Sequence, residues 1–289
     1  VDINKYQDLA SDKVYHKYIN KIKSYMEEGD VYQINYTQPM RYKYKGKEID
    51  LFRKLTKFSK PDYGAYLNLN EFQIISLSPE KFFTKIGNNI SSSPIKGTRP
   101  RSNDKDRDLE LLEELKISEK DRAEHLMIVD LIRNDLGKIC KFGTVKTDNL
   151  FKTYSFETIH HMVTDVSGIL KDKVSEVEIF NALFPGGSIT GAPKQRAIQI
   201  IDEIENYSRG IYTGSIGFIT ASGDMQFNIA IRTLTLNGSD GVYPVGGGIV
   251  WDSKPNNENA ETILKTKAFN DSIKMKIKVT IILIPRFTL

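Results

Sequence analysis

The sequence predicts an α+β protein built on antiparallel sheets. Segments that alternate between apolar and polar residues arrive in runs, and helical patterns fall between the runs rather than after every strand. The short strands also follow one another at the spacing of a meander. A doubly wound parallel sheet would need a regular alternation of strand and helix, which is not found.

The first hundred residues supply one helix and most of the early strands. Residues 11–28 place Val14, Tyr18 and Ile22 at helical spacing, and Gly29 ends this helix. The strand pattern VYQINYTQPMRYKY follows, then a short helix over residues 51–59 and the strands AYLNL, EFQIISLS, KFFTKIG and NISSSPI. In the next stretch, SSSPIKGTRPR, one glycine and two prolines predict a turn that closes a strand.

The remainder of the chain alternates between groups of helices and groups of strands. Helices are predicted over residues 104–119, 119–136, 174–183 and about 256–275, and another begins at PKQRAIQIIDEIE. Strands are predicted in TVKTDNLFKTYS, HHMVTDVSGIL, IYTGSIGFITA, DMQFNIAIRTLTLN and VYPVGGGIV. Residues 271–289 are interpreted as a C-terminal tail without an assigned role.

Composition excludes several classes of partner. The net charge is +4 in 289 residues and the basic residues are spread among acidic ones, so we expect no nucleic-acid partner. The apolar run VTIILIP is far shorter than the roughly 20 residues of a membrane span, and VDINKYQDLA lacks the apolar segment of a secretory signal. The single cysteine, Cys140, permits no intrachain disulfide and fits a buried thiol in a reducing compartment. We therefore expect a cytoplasmic protein without a membrane partner.

Two glycine-rich segments do not support a nucleotide site. In GGSITGAPK, Gly191 is followed by Ala192-Pro193, where a P-loop requires Lys-Ser/Thr. The segment GGGIVWD follows a strand but lacks the Gly-x-Gly-x-x-Gly spacing of a dinucleotide site.

Two pairs of carboxylates are the stronger signal. Asp121 and Glu124 are three residues apart on one predicted helix, and Glu258 and Glu261 repeat the spacing on another, with Lys265 one turn further. Two such pairs can form an oxygen-rich site for a hard cation such as Mg²⁺. The alternative is that each pair consists of solvent-facing acids in ordinary ion pairs.

Eight long blocks resemble the chorismate-utilising enzymes, a family that includes anthranilate synthase component I, aminodeoxychorismate synthase component I, isochorismate synthase and salicylate synthase. The blocks run in family order from about residue 12 to 270: GDVYQINYTQ, LSPEKFF, PIKGTRPR, DRAEHLMIVDLIRNDLGKIC, FPGGSITGAPKQRAIQIIDEIE, RGIYTGSIGFI, FNIAIRTL and GGGIVWDSKPNNENAETILKTKA. The resemblance implies a catalytic domain over residues 1–270 with two packed antiparallel sheets, helices outside and the active site between them.

The resemblance also implies a role for each matching residue. Glu124 and Glu261 would ligate Mg²⁺, while Glu258 and Asp121 would hold metal-bound waters, although Asp121 stands where relatives often have glutamate. The chorismate site would consist of carboxylate-binding side chains, a backbone cradle and groups near the ring: Arg232, Lys265, Tyr212, Gly246, Gly248, Ser188 and His161. The adjacent His160 should point to the other side of its strand.

Two positions distinguish the reactions of the family. Relatives that add water to chorismate resemble one another in having a lysine as general base where this chain has Gln33, which cannot take up a proton. Ammonia needs no such base, so Gln33 favours amination. The second position is Lys96, because PIKGT resembles aminodeoxychorismate synthases, whereas anthranilate synthases resemble PIAGT.

The resemblance implies covalent chemistry at Lys96. Its uncharged amine would add to C2 of chorismate as the C4 hydroxyl leaves with a proton from Glu80, and ammonia would then attack C4 and expel the lysine. A lysine must first lose its proton, through desolvation or neighbouring cations. Arg99 would assist if it points inward; the alternative is a solvated Arg99.

The sequence thus predicts an aminodeoxychorismate synthase component I of the 4-aminobenzoate and folate route. Cys140 lies inside the match to the synthase, so we expect ammonia to come from a separate glutamine amidotransferase subunit. The alternatives are anthranilate synthase component I and a non-catalytic binding subunit. The second alternative is disfavoured because Glu124, Glu261, Arg232 and Lys265 are all present.

Overall fold

The structure, a computed structural model, describes residues 2–155 and 159–274. Its helices are α1 (Asp12–Glu27), α2 (Glu48–Ser59), α3 (Lys105–Ile117), α4 (Glu119–Ile139), α5 (Glu176–Leu183), α6 (Lys194–Ile204) and α7 (Pro255–Lys274). Its strands are β1 (Asp2–Gln7), β2 (Gln33–Lys45), β3 (Tyr63–Asn68), β4 (Gln73–Ser78), β5 (Lys81–Ile86), β6 (Asn89–Ser92), β7 (Ile95–Pro100), β8 (Lys146–Ser155), β9 (Ile159–Ile169), β10 (Gly191–Ala192), β11 (Ser215–Ile219), β12 (Met225–Ile229), β13 (Thr233–Asn237) and β14 (Asp240–Val250).

The strands form two antiparallel sheets, which confirms the predicted fold class. The first sheet has the order β1-β2-β14-β13-β4-β3, with the short β10 also paired to β2. The second has the order β11-β12-β5-β6-β9-β7, with β8 also paired to β9. Strands that are distant in sequence, such as β2 and β14, become neighbours and bring the resembling blocks together.

The core is divided among three apolar clusters in which helices cover the sheets. One joins α4 and α5 to the second sheet through residues such as Phe83, Val129 and Ile179. Another packs α2 and α7 against the first sheet, and a third packs α1 and α6 against β2. Each fully buried apolar side chain of this size stabilises the fold by about 1.5–3 kcal/mol.

Helix α1 is present as predicted, and Ile22 and Tyr18 of the expected apolar face pack in the core, but the placement of Val14 on that face is wrong. The buried residues are Tyr15, Ile19 and Ile22, whereas Val14 is 42% exposed. The ring of Tyr36 in β2 lies 5.7 Å from that of Tyr15 and 5.5 Å from that of Tyr18, so the buried face includes Tyr15 as well as the predicted Tyr18.

The predicted turn in SSSPIKGTRPR is also wrong, because Ile95–Pro100 is strand β7. It pairs with β9, and its register shifts between Lys96 and Thr98. Gly97 takes a φ of 76° at this bulge, a conformation that glycine adopts without strain. The glycine thus bends a strand instead of ending it. Strand β1, where the pattern predicted no element, adds to the edge of β2.

Two further observations complete the comparison with the predictions. No helix in the described ranges has the length and apolar character needed to cross a membrane. Most of the proposed tail, residues 275–289, lies outside the described residues, while α7 extends to Lys274.

Candidate active site

The amine of Lys96 lies against the glycine segment of the central strand β14. A β-carbon at Gly248 would stand 3.1 Å from Lys96 Nζ and 3.4 Å from Nε2 of Gln33. Both distances are tighter than ordinary van der Waals contact with a carbon, so the missing side chain makes room for both groups. The bulge in β7 and the bare backbone of β14 together place the lysine between the sheets.

Gln33 is fully buried beside this amine. Among the described residues, neither its side-chain oxygen nor its nitrogen has a hydrogen-bond partner. Leaving a buried polar group unpaired costs about 1–3 kcal/mol. An amide that bears this cost next to a half-buried lysine indicates a place where a ligand supplies the missing partners.

Glu80 is the second buried ionisable group near Lys96. Its side chain accepts a hydrogen bond from Ser188 Oγ at 3.0 Å, and the residue is 8% exposed. Burial raises the pKa of the Glu80 carboxyl, and Ser188, Lys96 and Lys265 oppose the rise. A carboxyl that holds its proton more strongly than usual suits a general acid.

The two adjacent histidines point to different environments, as predicted. His161 Nδ1 lies 3.1 Å from Thr98 Oγ1, while His160 contacts Asp108 at 3.0 Å and Ser155 at 2.8 Å. Burial lowers the pKa of His161 to about 4; the Gly97 backbone opposes this shift and the charge of Arg232 adds to it. His161 is therefore a neutral imidazole at neutral pH, beside a cation suited to binding a carboxylate.

Carboxylates of α4 and α7 share one lysine. Lys120 Nζ lies 3.7 Å from Glu124 Oε1 and 3.5 Å from Glu258 Oε1. Glu258 is buried and also accepts a 2.7 Å hydrogen bond from Ser253 Oγ. Burial raises the pKa of Glu124, which Lys96 and Lys120 oppose and Glu258 supports. The two helices thus place like charges around one space.

Glu261 and Asp121 are engaged by cations of their own. Lys265 Nζ lies 2.8 Å from Glu261 Oε1 and donates to the Gly246 carbonyl at 3.0 Å. Burial favours a higher pKa for Glu261, but Lys265 outweighs it, and the net shift is downward. Of the two alternatives for Arg99, inward or solvated, the structure shows neither in full: its guanidinium donates to Asp121 of α4 at 2.9 Å.

The donor set fits a hard cation in its chemistry. No group of three or more acid, histidine or cysteine side chains within the described residues is close enough together to hold a metal ion as the side chains stand. However, an ammonium already occupies the space between Glu124 and Glu258, and the Lys120 side chain is half exposed, so it can move aside. Carboxylate oxygens are the ligands that Mg²⁺ prefers.

The structure also describes the surroundings of Tyr212, Arg232 and Gly246. Tyr212 is buried, and burial raises the pKa of its hydroxyl. Arg232 has a φ of 49°, and its carbonyl accepts a hydrogen bond from the Leu77 amide. At Gly246 a β-carbon would lie 2.1 Å from the Tyr36 carbonyl oxygen, so only glycine fits there.

Three neighbours of the site were missed by the sequence interpretation. Lys120 is four residues before Glu124 on one helix, a spacing that could have indicated the contact. Thr98, in the same block as Lys96, bonds His161. His125 is fully buried, contacts Thr164 Oγ1 at 2.6 Å and feels the charge of Lys96, but its spacing carries no signal that separates it from a core histidine.

Comparison with known proteins decides the family. The family model described as chorismate binding enzyme matches residues 2–271. The chain belongs to the chorismate-binding enzyme family.

Relatives with two names are similar to this chorismate-binding enzyme to nearly the same degree. It is 40% identical to anthranilate synthase component 1 of Saccharolobus solfataricus, over 94% of this chain and 64% of that protein. It is 41% identical to aminodeoxychorismate synthase component 1 of Salmonella typhimurium, over 87% of this chain and 55% of that protein. The structure of anthranilate synthase component I from Streptococcus pneumoniae superposes with a TM-score of 0.83 at 30% identity, covering 94% of this chain and 59% of that one.

The chain therefore spans little more than half the length of these relatives. Similar identity to both names means that identity alone does not select the reaction. We expect the reaction to depend instead on the side chains that face the glycine segment, such as those of Lys96 and Gln33.

Proposed function

We propose that this chorismate-binding enzyme aminates chorismate to 4-amino-4-deoxychorismate, as an aminodeoxychorismate synthase component 1 that serves the 4-aminobenzoate and folate route. The observation that carries the proposal is the position of Lys96 Nζ, between the sheets at Gly248 and beside the buried amide of Gln33. An anthranilate synthase is not expected to need an amine there.

Lys96 and Glu80 can complete the reaction with protons balanced. The neutral amine of Lys96 forms a bond to C2, the ring double bonds shift, and the C4–oxygen bond breaks as Glu80 gives its proton and water leaves. Ammonia then bonds to C4, the double bonds shift back and the C2–nitrogen bond breaks. Finally, the Glu80 carboxylate takes a proton from the new ammonium group and is ready for another cycle.

The other buried groups orient the substrate in this scheme. Arg232 and Lys265 bind carboxylates, the neutral His161 faces the ring, and Ser188 fixes the Glu80 carboxyl through their hydrogen bond. The unpaired amide of Gln33 supplies a donor and an acceptor but no base, which favours ammonia over water as the nucleophile.

Glu124 and Glu261 would hold Mg²⁺ directly, with Glu258 and Asp121 binding its waters. The ion supplies a positive charge that fixes and neutralises the ring carboxylate. The protein places these carboxylates on α4 and α7. The Lys120 side chain must move out of the space between Glu124 and Glu258 before the ion binds.

We further propose a glutamine amidotransferase subunit as the source of ammonia. The relatives' names designate a component 1. We also propose a cytoplasmic location.

The decisive experiment incubates the protein with chorismate, Mg²⁺ and ammonium and identifies the product by mass. We expect 4-amino-4-deoxychorismate without release of pyruvate, and a loss of at least ~100-fold in kcat for Lys96→Ala. Lys85→Ala is the matched control, because Lys85 Nζ bonds the Gly223 carbonyl away from the site.

Two outcomes would count against this proposal. Pyruvate and anthranilate from the unmodified protein would support the second candidate, anthranilate synthase component 1, which the Saccharolobus relative favours. Unchanged turnover of Lys96→Ala would refute the covalent role of the lysine.

A further inference from the structure

A small cavity lies behind Glu80, on the side of the site that faces α4 and α5. Its lining includes Glu80, Ser188 and Ser92, the apolar side chains of Ile132 and Leu183, and Asp135. None of the carboxylates assigned to Mg²⁺ belongs to this lining. Glu80 thus borders the cavity and is also close enough to Lys96 and Lys265 to be affected by their charges.

The size of the cavity limits what it can hold. The space open to the centre of a water-sized sphere is about 20 Å³. A single water needs about 10–15 Å³ on this measure, so the cavity accommodates one molecule of about that size. Chorismate cannot enter, whereas ammonia, which is close to water in volume, can.

The lining also has the right polarity for a molecule with several N–H donors. The Glu80 carboxylate and the hydroxyls of Ser92 and Ser188 are acceptors on one side, and Asp135 stands on another. Ser92 and Ser188 are themselves fixed, by hydrogen bonds to the Phe82 carbonyl at 2.6 Å and to Glu80 at 3.0 Å. The acceptors are therefore held in place before a ligand arrives.

At Asp135, ion pairs with Lys138 and Lys194 separate the cavity from the surface. Lys194 Nζ bonds Asp135 Oδ2 at 2.6 Å and the Leu183 carbonyl at 3.1 Å, so it spans two lining residues. Lys138, whose side chain is 54% exposed, bonds the other oxygen of Asp135. A shift of these lysine side chains connects the cavity with the surface between α4 and α6.

We infer that this cavity, the Glu80 chamber, binds ammonia and admits it to the reaction from the side opposite the carboxylate cluster. The inference rests on the proposed amination. Ammonia in the chamber forms its bond to C4 as the bond between C2 and Lys96 breaks, and the Glu80 carboxylate accepts the proton that the new C4 ammonium releases. The chamber thus fixes the direction of attack and keeps the nucleophile beside its proton acceptor.

The test uses nucleophiles of two sizes. Ile132→Ala enlarges the chamber, and we expect the ratio of kcat/KM for methylamine to kcat/KM for ammonium to rise at least ~10-fold, with the N-methyl product identified by mass. This gain cannot arise from a poorly folded protein. The control is Leu126→Ala, an exposed leucine of the same helix that does not line the cavity.

A second variant fills the chamber instead. Gly186 has an extended φ of −59° that alanine accepts, and its β-carbon would lie 3.1 Å from Ile229 Cδ1, another lining atom. Gly186→Ala should lower kcat/KM for ammonium at least ~10-fold while the KM for chorismate stays within about twofold.

The outcomes separate this inference from the proposed function. If the unmodified protein gives no aminated product with ammonium, the proposed function is wrong. If it does, but Ile132→Ala matches Leu126→Ala in the methylamine ratio and Gly186→Ala keeps its ammonium kcat/KM, the chamber is not the ammonia site.

Discussion

Two regions of the molecule hold charged side chains out of water in opposite ways. Around Arg209 the charged groups have close hydrogen-bond partners. The guanidinium donates to both oxygens of Glu205 at 2.6–2.7 Å and to the backbone carbonyls of Asn35 and Ile189. The Glu205 carboxylate also accepts the Thr37 amide and hydroxyl. This network is complete without any ligand.

The carboxylate cluster of α4 and α7 is incomplete by the same standard. Lys120 reaches Glu124 and Glu258 only at 3.7 and 3.5 Å, and burial, together with the charges of Glu258 and Asp121, raises the pKa of Glu124. Burial penalises charges in both regions, but the contacts of Lys120 with Glu124 and Glu258 are about 1 Å longer than the hydrogen bonds between Arg209 and Glu205. Burial of charge alone therefore does not identify a functional site. Buried charges that lack close partners do.

The largest effect is expected in the complete network. Arg209→Met leaves Glu205 buried without its partner, and the free energy of unfolding should fall by about 3–5 kcal/mol. Urea denaturation followed by circular dichroism measures it. Arg196→Met is the matched control, because the Arg196–Asp30 pair is about one-third exposed and should cost at most about 1 kcal/mol. Equal losses in both variants would remove the distinction between the regions.

A smaller and different effect is expected at Glu258. Glu258→Gln keeps an acceptor for Ser253 but removes one charge of the cluster. Affinity for Mg²⁺ should fall about 10–100-fold, while the metal-free protein loses no stability because repulsion with Glu124 is relieved. Isothermal titration with Mg²⁺ and urea denaturation measure the two quantities, with exposed Glu203→Gln as control. A large loss of stability with unchanged Mg²⁺ affinity would make the cluster structural.

The smallest effect is a pH dependence of stability at Glu124. Its pKa in the folded protein is raised above 4.5 by burial, so its contribution is fully present below about pH 4.5 and is lost as pH rises through the raised pKa. Metal-free Glu124→Gln should therefore gain stability relative to the unmodified protein between about pH 4 and about pH 8. Urea midpoints at the two pH values test this. If the stability of Glu124→Gln relative to the unmodified protein falls as pH rises, the pKa of Glu124 is not raised and burial does not penalise its charge.

How much of this could be predicted depends on where the information lies in the chain. The strands and helices and the blocks around Lys96, Glu124 and Glu261 are local patterns, and they predicted the α+β class and the family. On α1 the burial of Tyr15 and the exposure of Val14 were not predicted, because Tyr15 packs against Tyr36, a contact across the fold. The pairing of Arg99 with Asp121 and the strand at β7 also depend on partners distant in sequence.

The three glycines Gly246–Gly248 of β14 leave little room for a side chain. At Gly248 a side chain would displace Lys96, at Gly247 it would come within 3.3 Å of Lys265 Nζ, and at Gly246 it would strike the backbone of β2. Residues Gly246–Gly248 therefore offer only main-chain groups to their surroundings. The site therefore meets backbone amides and carbonyls on this side, and we expect the choice of reaction to depend on the side chains that face them, such as those of Gln33 and Lys96.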